Sequence, residues 1–175
     1  MTSNNKKNIK ASITAVGGYL PEDSISNKDL EMMVDTSDEW IKARTGIKKR
    51  RVLKEKGKGT SYLAVNAANN LLARKKIDPS TIDLVIVATI TPDFHCASTA
   101  PTVASAINAK NAYAYDISAA CSGFLFGMSS ASSFIESGRY KKILLIGADM
   151  MSSICLLYTS PSPRDLSTSR MPSSA

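Results

Sequence analysis

Two unbroken apolar runs, Leu84-Val85-Ile86-Val87-Ala88 and Ile143-Leu144-Leu145-Ile146, constrain what this chain can fold into more than any other feature. A strand with one wet face alternates apolar and polar side chains, whereas a strand without polar side chains must be covered on both faces. Helical patterns surround the two runs. From Ser61 to Lys76 apolar residues recur at 63, 64, 67, 68, 71 and 72, and Arg74, Lys75 and Lys76 occupy the last turn. That is the spacing of an amphipathic helix with its cations at the negative end of the dipole. Further helices are expected from about Thr99 to Asn108 and from Cys121 to Glu136, with a strand over Ala112 to Ile117. Ile9 to Leu20 reads as a first strand that stops at Gly17-Gly18 and Pro21. Asn27 is expected to cap a short helix over Lys28 to Val34, and Ser37 or Thr36 a second one that starts near Asp38 and ends at Gly46. Alternating strands and helices predict an α/β fold: a mainly parallel sheet with helices on both faces.

Composition supports one domain with a real core, since 175 residues are 43% hydrophobic and 21% charged. No apolar run approaches the ~18 residues needed to span a membrane. The opening MTSNNKK has no apolar leader pattern, so three cysteines are expected to be separate thiols in a reducing compartment rather than a disulfide framework. The three Cys and one His lack metal-ligand spacing, and no Gly-rich phosphate-loop string is present. The net charge of +7 is concentrated. Nine basic residues lie between Lys42 and Lys58 against Glu55 alone, a pattern that reads as a solvated loop, with nucleic acid, a phosphorylated cofactor or an acidic partner as the functional alternatives. Aromatic residues do not interleave with it, which argues against a single-stranded nucleic acid platform.

The composition changes near Ile154. Residues 155–175 hold six Ser, two Thr and three Pro, without periodicity, and are expected to be disordered. The strings LLYTSPSPRD and SRMPSSA resemble a translated adapter sequence, so residues 1–154 are expected to form the domain and 155–175 an artefactual tail.

Cys121 lies in DISAACSGF, where a strand gives way to a helix through small residues. Small neighbours permit a sharp turn and close substrate approach, as in a nucleophile elbow. The free N–H groups and the dipole of a helix start favour a thiolate and can cradle an oxyanion. The non-catalytic alternative is a buried Cys acting as a small apolar filler. For Trp40 the corresponding alternative is an amphipathic helix burying its only indole.

The segments VGGYLPEDSISNKDLEMMVDTSDEWIKARTGIKKRRV, DLVIVATITPD, DISAACSGFLFG and ILLIGAD resemble the N-terminal half of β-ketoacyl-acyl-carrier-protein synthase III, a thiolase-superfamily condensing enzyme. The resemblance runs from about Ile9 to Ile154. It implies a thiolase-like half-fold with a mixed, mostly parallel sheet, an acyltransferase of type II fatty acid synthesis, and Cys121 as the residue acetylated by acetyl-CoA before condensation with malonyl-acyl-carrier protein. It further implies that Trp40 stacks on the CoA adenine, with Arg44 and Thr36 beside the nucleotide. No permanently bound cofactor, no metal, no nucleic acid and no membrane are expected. The intact protein is expected to be a homodimer in bacterial cytoplasm or plastid stroma, with acyl-carrier protein as its partner.

The resemblance also defines departures. The family's catalytic His and Asn lie downstream of the nucleophile, whereas His95 lies upstream, matches neither and reads as a loop residue. Cys96 falls where many members carry a Phe that reaches the partner's acyl pocket. The 175-residue chain is therefore expected to be inactive by itself. A related secondary-metabolite ketosynthase or acyltransferase, and an inactive acyl-CoA-binding or partner domain, remain as alternatives. Asp83, Asp93, Asp116 and Asp149 read as caps and loop residues.

Overall fold

The computed structural model describes residues 9–153; the expected boundary at 154 and the segment 155–175 lie outside the described residues. In chain order the elements are β1 (Ser24–Ser26), α1 (Asn27–Glu31), α2 (Asp38–Thr45), β2 (Lys49–Arg51), α3 (Thr60–Lys75), β3 (Leu84–Ala88), α4 (Thr99–Ala106), β4 (Tyr113–Ile117), α5 (Gly123–Glu136) and β5 (Ile143–Gly147). No helix among them is long and apolar enough to cross a membrane.

The β3 strand is the centre of a three-stranded sheet of order β4-β3-β5, parallel throughout. All five of its residues are buried, which is what its lack of polar side chains requires. Parallel neighbours need crossovers, and α4 and α5 supply them. Stepping from β3 out to β4 and then back across to β5 reverses direction, so right-handed crossovers put the two helices on opposite faces. Val85, Val87, Leu144 and Ile146 pack with Ala64, Ala68, Leu72, Ala100 and Val103 of α3 and α4. The α5 helix covers β5 and β3 from the other side. The expected α/β architecture with helices on both faces is thus present. Antiparallel pairing occurs in a separate ribbon, β1 with β2, and not within the main sheet among the described residues. That ribbon joins α1 and α2 in a second small core of Ile25, Leu30, Ile41 and Val52.

Two local expectations are corrected. The strand over Ile9 to Leu20 does not form: those residues make no backbone–backbone hydrogen bond among the described residues, and Ile13, Val16 and Leu20 are exposed. Their pattern suits a strand, but β structure needs an edge within pairing distance, and a cavity separates them from β5. The cap of α1 is Ser26, not Asn27. Its hydroxyl accepts from the Asp29 N–H at 3.2 Å while the Asp29 carboxylate accepts from the Ser26 N–H at 2.7 Å, a reciprocal capping box.

Carboxylates tie the sheet to its surroundings. Asp116, in β4, accepts from the Thr99 and Ala100 N–H groups at 2.6 and 2.7 Å and so caps α4 from across the structure. Asp83 accepts from the Lys141 and Lys142 N–H groups at 2.7 and 2.9 Å, and these bonds hold its carboxyl below the usual range. A carboxyl lowered by folding contributes stability that is fully present above its unfolded pKa of about 3.9 and lost as pH falls through the lower folded value. Thermal melts of Asp83→Asn should therefore lose part of the acid-limb slope seen in the parent, with the parent and variant converging at low pH. Leu84→Ala, in the buried centre, should cost about 2–5 kcal/mol in urea unfolding. Exposed Met32→Ala should stay within about 0.5 kcal/mol.

Candidate active site around Cys121

Cys121 stands at the carboxyl edge of the sheet, where parallel α/β folds place their ligand crevices. After β4 the backbone turns at Ala119 (φ −149, ψ 33) and Ala120 (φ 44), and a 3-10 turn over Ala120–Ser122 leads into α5. A left-handed non-glycine residue costs about 1–2 kcal/mol, and alanine carries the smallest side chain that meets that cost. The helix starts at Gly123, two residues later than expected, so Cys121 sits in the turn ahead of it. Close approach requires the glycine: a Cβ at Gly123 would lie 3.3 Å from the Ala88 Cβ and 3.7 Å from the Ile117 carbonyl oxygen. The Cys121 thiol is free and exposed among the described residues. No side chain caps the start of α5.

Neighbouring loops are fixed by hydrogen bonds. One Asp149 carboxylate oxygen accepts from the Thr89 hydroxyl at 2.9 Å and the Ile90 N–H at 2.8 Å, joining the segments that leave β3 and β5. Asp93 accepts from the Ser61 N–H at 3.2 Å, at the start of α3. With Asp83 and Asp116, these are the caps and loop ties expected of them.

Trp40 and Arg44 lie one turn apart on α2, and the Arg44 guanidinium carbon is 4.6 Å from the indole centroid. Such a contact is a cation–π pair. Trp40 is 46% exposed, so it is not the core residue of the alternative reading. Ser37, rather than Thr36, caps α2 by accepting from the Trp40 N–H at 3.1 Å. Thr36 is half-buried in the preceding turn. Cys121 belongs to the sheet and Thr36, Trp40 and Arg44 to the small module; no hydrogen bond or stacking contact joins the two groups among the described residues.

One residue positions this module in a role other than the helix cap expected of it. Asn27 is 1% exposed, and its amide donates to Asp38 Oδ1 at 2.8 Å and to the Ile47 carbonyl at 2.7 Å, while its oxygen accepts from Arg50 at 2.7 Å. It thus ties both ends of the α2 region to β2. Lys42 and then Asn27 hold the Asp38 carboxyl below its ordinary range. No local signal marks an Asn as buried, because its partners lie 11 to 23 positions away in sequence.

The basic cluster divides by role. Arg50 is committed to Asn27, Arg51 donates to the Pro21 and Glu22 carbonyls, Lys42 pairs with Asp38, and Lys58 lies over the Tyr62 ring. Lys48, Lys49, Lys54 and Lys56 are exposed. His95 and Cys96 are exposed in the loop before α4, as expected for His95.

The family profile described as 3-Oxoacyl-[acyl-carrier-protein (ACP)] synthase III matches residues 115–159, which include Cys121. The beta-ketoacyl-[acyl-carrier-protein] synthase III of Chlorobium chlorochromatii is 53% identical over 146 residues, covering 83% of this chain and 44% of the relative. A synthase III of Bacteroides thetaiotaomicron is 52% identical over the same length and shares. Among solved structures, the 3-oxoacyl-[acyl-carrier-protein] synthase III of Aquifex aeolicus superposes with TM-score 0.77 at 48% identity, covering 83% of this chain and 46% of that one. The priming beta-ketosynthase of the R1128 polyketide pathway superposes with TM-score 0.75 at 36% identity, covering 79% and 41%. The chain spans a little under half the length of the curated relatives it matches. The thiolase-like fold class expected from the sequence holds.

Removing the Asn27 amide leaves buried polar groups without partners, so Asn27→Ala should destabilise the small module by about 1–3 kcal/mol. The single tryptophan, Trp40, reports this directly as an earlier fluorescence transition in urea. Lys10→Ala, which deletes only an exposed 3.6 Å ion pair with Glu136, should cost less than about 1 kcal/mol.

Proposed function

Because this chain belongs to the 3-oxoacyl-[acyl-carrier-protein] synthase III family, we propose that it supplies the acyl-accepting half of an initiating ketoacyl synthase, with Cys121 as nucleophile. The observation that carries this reading is the strained Ala120 turn, which presents an exposed thiol at the carboxyl edge of a parallel sheet. Sγ attacks the carbonyl carbon of acetyl-CoA, the bond from that carbon to the CoA sulfur breaks, and CoA leaves with the proton of the thiol. Loss of CO₂ from malonyl-acyl-carrier protein then leaves an electron pair on its α-carbon. This carbon attacks the acetyl carbonyl, the bond to Cys121 breaks, and acetoacetyl-acyl-carrier protein departs. The Ser122 and Gly123 N–H groups are committed to the Ala119 and Ala120 carbonyls, so another N–H at the elbow is proposed to receive the oxyanion, a role worth about 10²–10³ in rate. The His and Asn that the family uses to stabilise the enolate have no counterpart at His95, so the 175-residue chain by itself is proposed not to condense.

Trp40 and Arg44 are proposed to clamp the CoA nucleotide, with Thr36 adjacent; an indole face suits a purine and a guanidinium suits phosphate. Acetyl-CoA is then a substrate and no permanent cofactor is held. The full-length protein is proposed to act in type II fatty acid biosynthesis as a homodimer with acyl-carrier protein as its partner, in bacterial cytoplasm or plastid stroma. A second reading, a secondary-metabolite priming ketosynthase, is favoured by the likeness to the R1128 enzyme.

Full-length enzyme incubated with radiolabelled acetyl-CoA should carry label on Cys121, and Cys121→Ser should abolish malonyl-dependent product. Persistence of thioester label in that variant would sink the assignment. Trp40→Ala should raise KM for acetyl-CoA roughly 5–150-fold, in line with about 1–3 kcal/mol for aromatic stacking on a base, while kcat changes little. Primer competition among acyl-CoAs separates the two readings: preference for acetyl supports fatty acid initiation, preference for longer primers the second.

A further inference from the structure

The segments that leave β3, β4 and β5 meet at the carboxyl edge of the sheet, and one side chain bonds the first of them to the third. Asp149 lies two residues beyond β5 and works through a single carboxylate oxygen. Its Oδ1 accepts from the Thr89 hydroxyl at 2.9 Å, from the Ile90 N–H at 2.8 Å and, near the limit of hydrogen-bond length, from the Thr91 hydroxyl at 3.4 Å. The other oxygen makes no hydrogen bond and the carboxylate no ion pair among the described residues. Bonds also run the other way. The Thr91 N–H donates to the Thr89 hydroxyl at 3.1 Å, and the Met150 N–H to the Thr91 hydroxyl at 2.8 Å. From α3, the buried Thr60 hydroxyl donates to the Thr91 carbonyl.

The segment held in this way is the seat of the Cys121 elbow. Residues 118–122 make the turn, and both of its ends rest on Ala88 and Thr89. At the near end the Thr89 N–H donates to the Ile117 carbonyl at 3.1 Å. At the far end a Cβ on Gly123 would lie 3.3 Å from the Ala88 Cβ and 3.7 Å from that same carbonyl oxygen. Between them Ala120 is kept at φ 44, a conformation that an alanine holds only while its surroundings impose it. Thr89 is 5% exposed, so its hydroxyl cannot exchange a lost acceptor for bulk water.

We infer that Asp149 is a positioning residue for Cys121: through Thr89 it fixes the seat on which both ends of the elbow rest. Its bearing on catalysis rests on the acyl-transfer reading above. The network asks for an oxygen acceptor and not for a charge. Asparagine at 149 keeps Oδ1 for all three donors and replaces only the oxygen that has no partner, whereas alanine removes every bond at once. A carboxylate that acted by its charge or as a base would be lost equally in both variants.

Two measurements test this. In the full-length enzyme, single-turnover transfer from radiolabelled acetyl-CoA yields a rate constant for label arriving on Cys121, which does not depend on the fraction of sites that are active. Asp149→Ala should lower it about tenfold to a hundredfold, the scale of an ångström of misplacement. KM for acetyl-CoA should stay near the parent's, because Trp40 and Arg44 sit on a helix of the other packing unit. Asp149→Asn should recover most of the loss. Thr89→Val should slow transfer as Asp149→Ala does, Thr89→Ser should recover it, and the Asp149→Ala, Thr89→Val pair should lose less than the product of the two single effects. If Asp149→Ala does not fold, the contrast between valine and serine at 89 carries the test. In the 175-residue chain, hydrogen exchange reads the elbow without acyl chemistry. Asp149→Ala should speed exchange at Thr89, Ser122 and Gly123, whose N–H groups bond across and within the elbow, while β3 stays protected; Asp149→Asn should not. Three results would overturn the inference: the parent's rate constant in Asp149→Ala even with fewer sites labelled, equal losses in the asparagine and alanine variants, or unchanged exchange at the elbow. If the parent itself takes no label, the acyl-transfer reading fails, and the exchange result still decides whether Asp149 holds the elbow.

Discussion

Complete burial of β3 is the constraint on which the rest of the structure depends. Its five residues are covered on both faces and paired on both edges, and full burial of each large side chain is worth about 1.5–3 kcal/mol. The exposed Lys10–Glu136 pair contributes less than about 1 kcal/mol by comparison. Covering both faces of a parallel strand requires crossover helices, and crossovers bring successive chain ends to the same carboxyl edge. The position of Cys121 follows from that arrangement, because the turn after β4 and the segments after β3 and β5 converge there.

The elbow is strained locally and held by long-range packing. Ala120 keeps a left-handed conformation because β4 is locked against β3 on one side and Gly123 seats α5 against Ala88 on the other. The Trp40–Arg44 pair depends on a different support. Its helix belongs to a small core of four residues, and Asn27 bonds that helix to β2 through three partners. Cys121 and the Trp40–Arg44 pair thus rest on separate packing units of one chain.

The same packing leaves surfaces unsatisfied. Phe124, Leu125, Phe126 and Met128 near the start of α5 are exposed, and the outer edge of β5 faces a cavity. Exposed apolar area of this kind marks either an interaction surface or an aggregation hazard.

Residue order alone determined the elements whose stabilising contacts are local or whose pattern admits one environment. The runs at 84–88 and 143–146 could only be covered strands, the 3.6-residue spacing of α3 defined its buried face, and Gly46 marked the end of α2, where it adopts φ 70. The small residues around Cys121 announced a sharp turn, though not that α5 would begin at Gly123. Tertiary structure decided the rest. Ile9 to Leu20 has a strand's pattern but no edge within pairing distance, since pairing is a property of two segments and not of one. Asn27 left the cap to Ser26 because its buried amide has partners that only the folded chain brings near. Thr36 likewise lost the α2 cap to Ser37, a choice between adjacent hydroxyls that backbone direction settles and composition does not.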